Sequence, residues 1–151
     1  MASLTLPETA IERKPVDLAE IEQKMLMQEQ VEIPLEHIFS GGVYIRQITV
    51  KAGTLIMGKR HRHETCNCLL KGTLLVYVAE DKPPVEMVAP ILFTTPPGTK
   101  KFAFCRADAV FLNIIPTNLT DPDEIEKLWI IPEQEYLEQQ KEPKCLSSDQ
   151  P

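Results

Sequence analysis

Residues 53–72 read GTLIMGKRHRHETCNCLLKG. A β-strand points successive side chains to opposite faces, so strand geometry here places Lys59, His61, His63, Thr65 and Asn67 in one file and Cys66 and Cys68 on the other face. That file is polar and predicts the lining of a cavity, with Lys101 across from it, suited to a phosphate, carboxylate or nucleotide. Two imidazoles on one face can instead present themselves to a single metal ion. The plain alternative is two polar side chains with no ligand between them, and for Lys59 a position outside the β structure. Cys66 and Cys68 read either as a C-x-C pair for a soft metal or as two small buried hydrophobes.

Outward from this stretch the same texture continues. Short apolar runs occupy residues 43–50, 54–58, 73–79, 85–89, 91–95, 101–105 and 109–115. Turn residues punctuate them at Ala52-Gly53, Lys71-Gly72, residues 81–84, Pro96-Pro97-Gly98 and residues 106–108. Short strands at such regular spacing predict an all-β antiparallel sandwich or closed barrel rather than βαβ units. Before it, residues 1–15 read as an extended arm that needs a partner to become ordered. Asp17 then caps a short helix with Leu18, Ile21 and Met25 on one face, and residues 32–40, broken by Pro34, close the arm at Gly41-Gly42. After Pro116, Thr120 or Asp121 caps a second helix with Pro122 in its first turn. That helix runs into Trp129, Ile130 and Ile131, an apolar end to be buried on the edge of its own barrel or a neighbour's. Residues 132–140 can be helical, with a loose tail beyond. The expected organisation is an N-terminal arm over 1–42, a β-barrel with its acidic helix over 43–131, and a C-terminal tail over 132–151.

At 151 residues, with 43% hydrophobic and 25% charged side chains, the chain fits one globular domain and excludes wholesale disorder, collagen and a disulfide-dense miniprotein. No run approaches the roughly 18 apolar residues of a membrane span and the first residues lack a secretory pattern, so a cytoplasmic protein is expected. Cys66, Cys68, Cys105 and Cys145 are then expected as free thiols. The net charge of −6 is unevenly spread. Residues 1–42 hold 8 acidic against 3 basic side chains, residues 43–116 hold 5 against 10, and residues 117–151 hold 9 against 3. A basic middle between acidic arms disfavours general nucleic-acid binding and suits either an anionic small molecule or the acidic arms of another copy. No G-x-S-x-G, paired carboxylates in the β region or phosphate-binding glycine loop points to hydrolase or kinase chemistry.

Residues 53–72 resemble the first motif of the cupins, G-x5-H-x-H-x3,4-E-x6-G, in the His61-x-His63 pair and in Gly72. The stretch APILFTTPPGTKKFAFC (residues 89–105) resembles the second, G-x5-P-x-G-x2-H-x3-N, through Pro96, Pro97 and Gly98. The resemblance implies a jelly-roll barrel and, in its metal-binding members, a divalent Fe, Mn, Ni or Zn. Here His61 and His63 would be the ligands of an incomplete site. The second-motif histidine is replaced by Lys101, and the glutamate slot falls on Thr65, Asn67 or Cys68, while Glu64 should point the other way. An ammonium about 4 Å from a divalent ion would repel it by roughly 8 kcal/mol at an effective dielectric of about 20. Residues 41–131 further resemble small cupin-like proteins of bacteriophages and prophages, through HRHETCNCLLKG, APILFTTPPGTKKFAF and DAVFLNIIPTNLTDPDEIEKLWI. This second resemblance implies a viral origin and no defined reaction; together with the acidic arms around a basic middle, which suit contact between copies, it gives as the leading expectation a non-enzymatic phage-type accessory or virion component, or a phage-encoded binding protein, that self-associates through its arms and contacts other phage proteins. The alternatives are a metal-dependent isomerase or dioxygenase using His61 and His63, and sequestration of a small anion by His61, His63 and Lys101.

Overall fold

The computed structural model describes residues 17–77 and 81–141. The expectations for the extended arm over 1–15, for Cys145 and for the loose tail beyond Lys141 lie outside the described residues.

Two long strands organise the molecule, β4 (Thr65–Tyr77) and β7 (Phe102–Pro116). They pair antiparallel from Cys66 opposite Ile114 to Tyr77 opposite Phe102. The sequence predicted two strands in place of each, with turns at Lys71-Gly72 and at residues 106–108. Both signals mark a bend instead. The register shifts repeatedly between Leu69 and Leu74, which curves both strands without ending them. Gly72 makes the bend possible: its φ is +93°, and a β-carbon there would lie 2.4 Å from the Asp108 carbonyl oxygen and 2.7 Å from the Ala109 Cα. Opposite it, Asp108 accepts a hydrogen bond from the Ala52 backbone N–H at 2.9 Å.

The bend divides the sheet into two leaves. In one, β2 (Val43–Val50) pairs with residues 109–116 of β7, and β6 (Ile91–Thr95) pairs with residues 65–69 of β4. In the other, β3 (Leu55–Met57) pairs with the start of β7, and β5 (Val85–Val88) with residues 73–76 of β4. The remaining strand, β1 (Leu35–Ser40), adds to β2. Pro34 precedes this strand rather than interrupting it, so the arm expected to stay irregular up to Gly41 carries the outermost β-pairing. The order β1-β2-β7-β4-β5 leaves β1 and β5 as edges; the expected antiparallel jelly roll is present, but its sheet is open and not closed into a barrel.

The core lies between the leaves, where Val50, Leu69, Leu74, Val76, Cys105 and Ala109 are buried. Complete burial of a side chain such as Leu69 stabilises by about 2 kcal/mol. A second cluster joins Tyr44 and Ile115 to Ile125 of α2 (Pro122–Trp129), which Asp121 caps by accepting from the Asp123 N–H at 3.0 Å. At the other end, α1 (Leu18–Leu26) is capped by Asp17, which accepts from the Glu20 N–H at 3.1 Å, and Leu18 anchors it. The last element, α3 (Glu133–Lys141), follows Pro132 and buries no side chain fully. No helix among the described residues is long and apolar enough to cross a membrane.

Candidate functional site

The segment between β3 and β4 breaks the expected alternation. Residues 58–60 make no ladder, His61 forms a single bridge to Ile130, and the chain bends at Arg62 and His63 before β4 starts at Thr65. With the period of two lost, the two histidines do not share a face. His61 turns inward and is buried, whereas His63 is exposed, with its ring edge-on to Trp129 at 4.7 Å. The partner that causes this is the apolar end of α2. Residues 129–131 run alongside residues 60–62, with Arg62 N–H donating to Trp129 O at 2.8 Å and Ile131 N–H to Arg60 O at 2.9 Å. Of the two places expected for that apolar end, it occupies the edge of its own chain.

His61 lines a cavity of about 230 Å³ between the leaves. Its apolar wall includes Ile48, Val50, Val76, Phe93 and Phe111. Its polar groups are Arg46, Lys59, His61, Lys101 and Asn113, and no Asp or Glu is among the described residues that line it. Lys101 points inward, and its ammonium donates to Asn67 Oδ1 at 3.0 Å. The same oxygen accepts from Asn113 Nδ2 at 2.8 Å, and Asn67 Nδ2 donates to Thr95 Oγ1 at 3.2 Å. Thr65 and Asn67 are buried behind the wall and brace it. Lys59 contributes to the lining, yet its amine reaches out to Glu126 of α2, so it answers to both places proposed for it.

Burial lowers the Lys101 pKa to about 8, still above neutrality, so the side chain remains mostly a cation at pH 7. Burial, then the charges of Lys101 and Arg46, lower His61 to about 4, which makes it neutral. Its tautomer follows from the hydrogen bonds. Thr65 Oγ1 donates to the His63 carbonyl at 3.1 Å and therefore accepts from His61 Nδ1 at 2.8 Å, assigning the proton to Nδ1 and the lone pair to Nε2.

The opposite surface of the same segment is an ion-pair face. Lys100 bridges Glu22 of α1 and Glu133 of α3, the latter at 3.2 Å. Arg60 donates to Gly98 O at 2.8 Å and lies 3.6 Å over the Tyr136 ring; its buried Nε has no partner among the described residues. Arg62 grips Glu135 with two bonds of 2.6 and 2.9 Å. Sequence reasoning missed Arg46 and Asn113 in the cavity. The signals were there: Arg46 shares the inward parity of Ile48 and Val50, and Asn113 is the one amide in an apolar run.

A transition metal does not fit this donor set. Such a site needs about three anionic or neutral donors. The cavity offers one imidazole among three cationic side chains, with His63 outside it. No group of three or more His, Cys, Asp or Glu that could hold a metal ion occurs among the described residues. Cys66 and Cys68 do lie on the outer face of β4, half-buried and free.

No protein-family model and no curated protein matches the sequence. Solved structures do match in fold. KdgF from a Halomonas species superposes with a TM-score of 0.50 at 14% identity, covering 64% of this chain and 90% of that one. An RmlC-like cupin family protein with a double-stranded β-helix fold from Methanocaldococcus jannaschii gives 0.48 at 14% identity over 63% and 86%. A cupin superfamily protein from Desulfitobacterium hafniense gives 0.48 at 14% identity over 76% and 100%. The chain is similar to cupins in its antiparallel jelly-roll fold.

Proposed function

We propose that the protein is a non-enzymatic binder of a small organic anion, held in the cavity by Lys101, Arg46 and His61 with its apolar portion against Phe93 and Phe111. One observation carries this: Lys101 is a half-buried cation, turned inward, whose only hydrogen-bond partner among the described residues is a neutral amide oxygen. A buried charge is costly unless paired. No carboxylate among the described lining residues supplies the pair, and a ligand carboxylate or phosphate would. Neutral His61 adds a hydrogen-bonding group without a competing charge. The cavity is smaller than the roughly 300–1,000 Å³ typical of drug-sized ligands, which favours an anion of few heavy atoms. Titration calorimetry with acetate, butyrate, benzoate and inorganic phosphate tests the proposal. Heat with at least one carboxylate, lost in Lys101→Met, is expected; no heat with any of the four removes it.

Self-association of a phage-type accessory or virion protein, in the host cytoplasm or the particle, is the second reading. It is favoured by β1, an edge strand exposed at all six positions, with Leu35, Ile38 and Phe39 about 40% accessible. Such an edge suits strand addition by another copy or by another phage protein. Light scattering that finds a monomer at every concentration removes it.

A further inference from the structure

We propose that Lys101 is a carbonyl-capturing nucleophile: its amine forms an imine with a small 2-oxo acid whose carboxylate is held by Arg46. This rests on the anion-binding reading and narrows its ligand to one class. Among the described residues Lys101 Nζ has a single acceptor, Asn67 Oδ1, which Asn113 already satisfies from the other side. The amine can therefore leave that contact without orphaning the amide. Phe111 lies 5.6 Å from the ammonium and, with Phe93, keeps its surroundings apolar. No carboxylate among the described lining residues holds the amine in its protonated form, in contrast to Lys100 next to it. Burial accordingly leaves Lys101 with a pKa of about 8, so at neutral pH its free-amine fraction is on the order of a hundredfold above that of an ordinary lysine.

The step balances without any further reagent. The Nζ lone pair adds to the carbonyl carbon and the C=O π pair moves to oxygen. A proton passes from nitrogen to that oxygen, a second is taken from solvent, the C–O bond breaks and water leaves. The protonated imine restores the positive charge at Nζ, so the cavity's charge is that of the resting cation. Two cations are needed because the ligand has two polar ends, one reacting and one ionic. Arg46 cannot be deprotonated and serves the second end. The small cavity restricts the rest of the molecule to a few carbons.

The test treats the full chain with pyruvate and sodium cyanoborohydride, followed by intact mass and peptide mapping. Acetaldehyde, which lacks the carboxylate, is the parallel arm. The expected result is one reduced adduct per chain, mapped to Lys101, with a rate rising through about pH 8 and at least tenfold faster with pyruvate than with acetaldehyde. Labelling spread over the surface lysines overturns the proposal, and so does equal labelling by the two carbonyls. Calorimetry with pyruvate in the absence of reductant separates the two levels. Binding without a Lys101 adduct overturns imine capture and leaves anion binding standing; neither pyruvate binding nor an adduct overturns imine capture, and overturns anion binding as well when acetate, butyrate, benzoate and phosphate also give no heat.

Discussion

Lys100 and Lys101 are neighbours in the chain, the first buried and the second half-buried, and their surroundings differ completely. Lys100 points to the outer face and meets two carboxylates, Glu22 from α1 and Glu133 from α3. Lys101 points between the leaves and meets an amide. The difference gives a physical reason for part of the charge pattern among the described residues. Acidic segments before and after the β region supply the partners of Lys100, Arg60 and Arg62, so the helices are fastened to the sheet by charge. Burial pushes the Glu133 carboxyl up, yet the bonds and charges of Lys100 and Arg60 outweigh it and hold the group below the usual carboxylate range. Among the described residues of these acidic segments only Glu126 pairs with a cation of the lining, Lys59, and none lines the cavity itself, so Lys101 and Arg46 are left to be answered from outside. A basic middle between acidic arms thus contains two populations of cations, one structural and one available.

The largest effect comes from removing the bend that separates the two faces. At Gly72, alanine would bring its β-carbon into the Asp108 and Ala109 backbone, and its φ of +93° would be strained in any case. Gly72→Ala should cost about 4 kcal/mol, read as a lower denaturation midpoint with exposure of the apolar cavity wall. Next in size is the outer lysine. Lys100→Met leaves Glu22 and Glu133 without their shared cation, and because both carboxylates are about one-third accessible the loss is reduced from that of a fully buried pair to about 2–3 kcal/mol. The midpoint of urea unfolding measures it. A variant as stable as the parent would mean that the arms are not held by this bridge.

The inward face should show itself in its acid limb. His61 has a folded pKa of about 4 against an ordinary 6.5, so between those values the unfolded chain binds a proton that the native protein refuses. Stability from this group is complete above pH 6.5 and is lost as the pH falls towards 4. The expected loss is about 2 kcal/mol between pH 7 and pH 4.5, absent in His61→Gln, where an amide keeps a polar contact to Thr65 without titrating. Equal acid loss in both proteins would show that the outer carboxylates, not His61, govern the acid limb.

The elements differ in how plainly the sequence announces them. β2, β5 and β6, both outer helices and their caps are legible because periodicity, Pro and Asp signals agree locally. The long strands β4 and β7 are hidden by turn residues, since Lys71-Gly72 looks the same whether the chain reverses or merely bends against Asp108; only the cross-strand contact decides. β1 is hidden by Pro34 and by having no buried face to produce a pattern. At the site, Lys101 and His61 follow from strand parity and motif, whereas His63 does not. Its direction is set by Trp129 and Ile130, more than sixty residues away, which draw residues 60–62 into an edge pairing and cancel the alternation.

The smallest effect should have the opposite sign and is the most informative. In Lys101→Met an ammonium held by one amide gives way to an apolar side chain of similar length. The variant loses a hydrogen bond of about 1 kcal/mol, which Asn67 partly recovers through Asn113, and is relieved of a half-buried, inward-turned charge. A net gain of about 1 kcal/mol at pH 7 is expected. The pH dependence identifies its origin. Because the native pKa of about 8 lies below that of the unfolded chain, the unfolded state binds more protons between pH 8 and about 10.4, and wild-type stability rises with pH over that window through this group. The advantage of the methionine variant should therefore shrink as the pH is raised through 8. If Lys101→Met is instead destabilised as much as Lys100→Met, then the inner lysine too is a structural cation with its charge satisfied inside the protein, and an anionic ligand is not needed to explain why it is there.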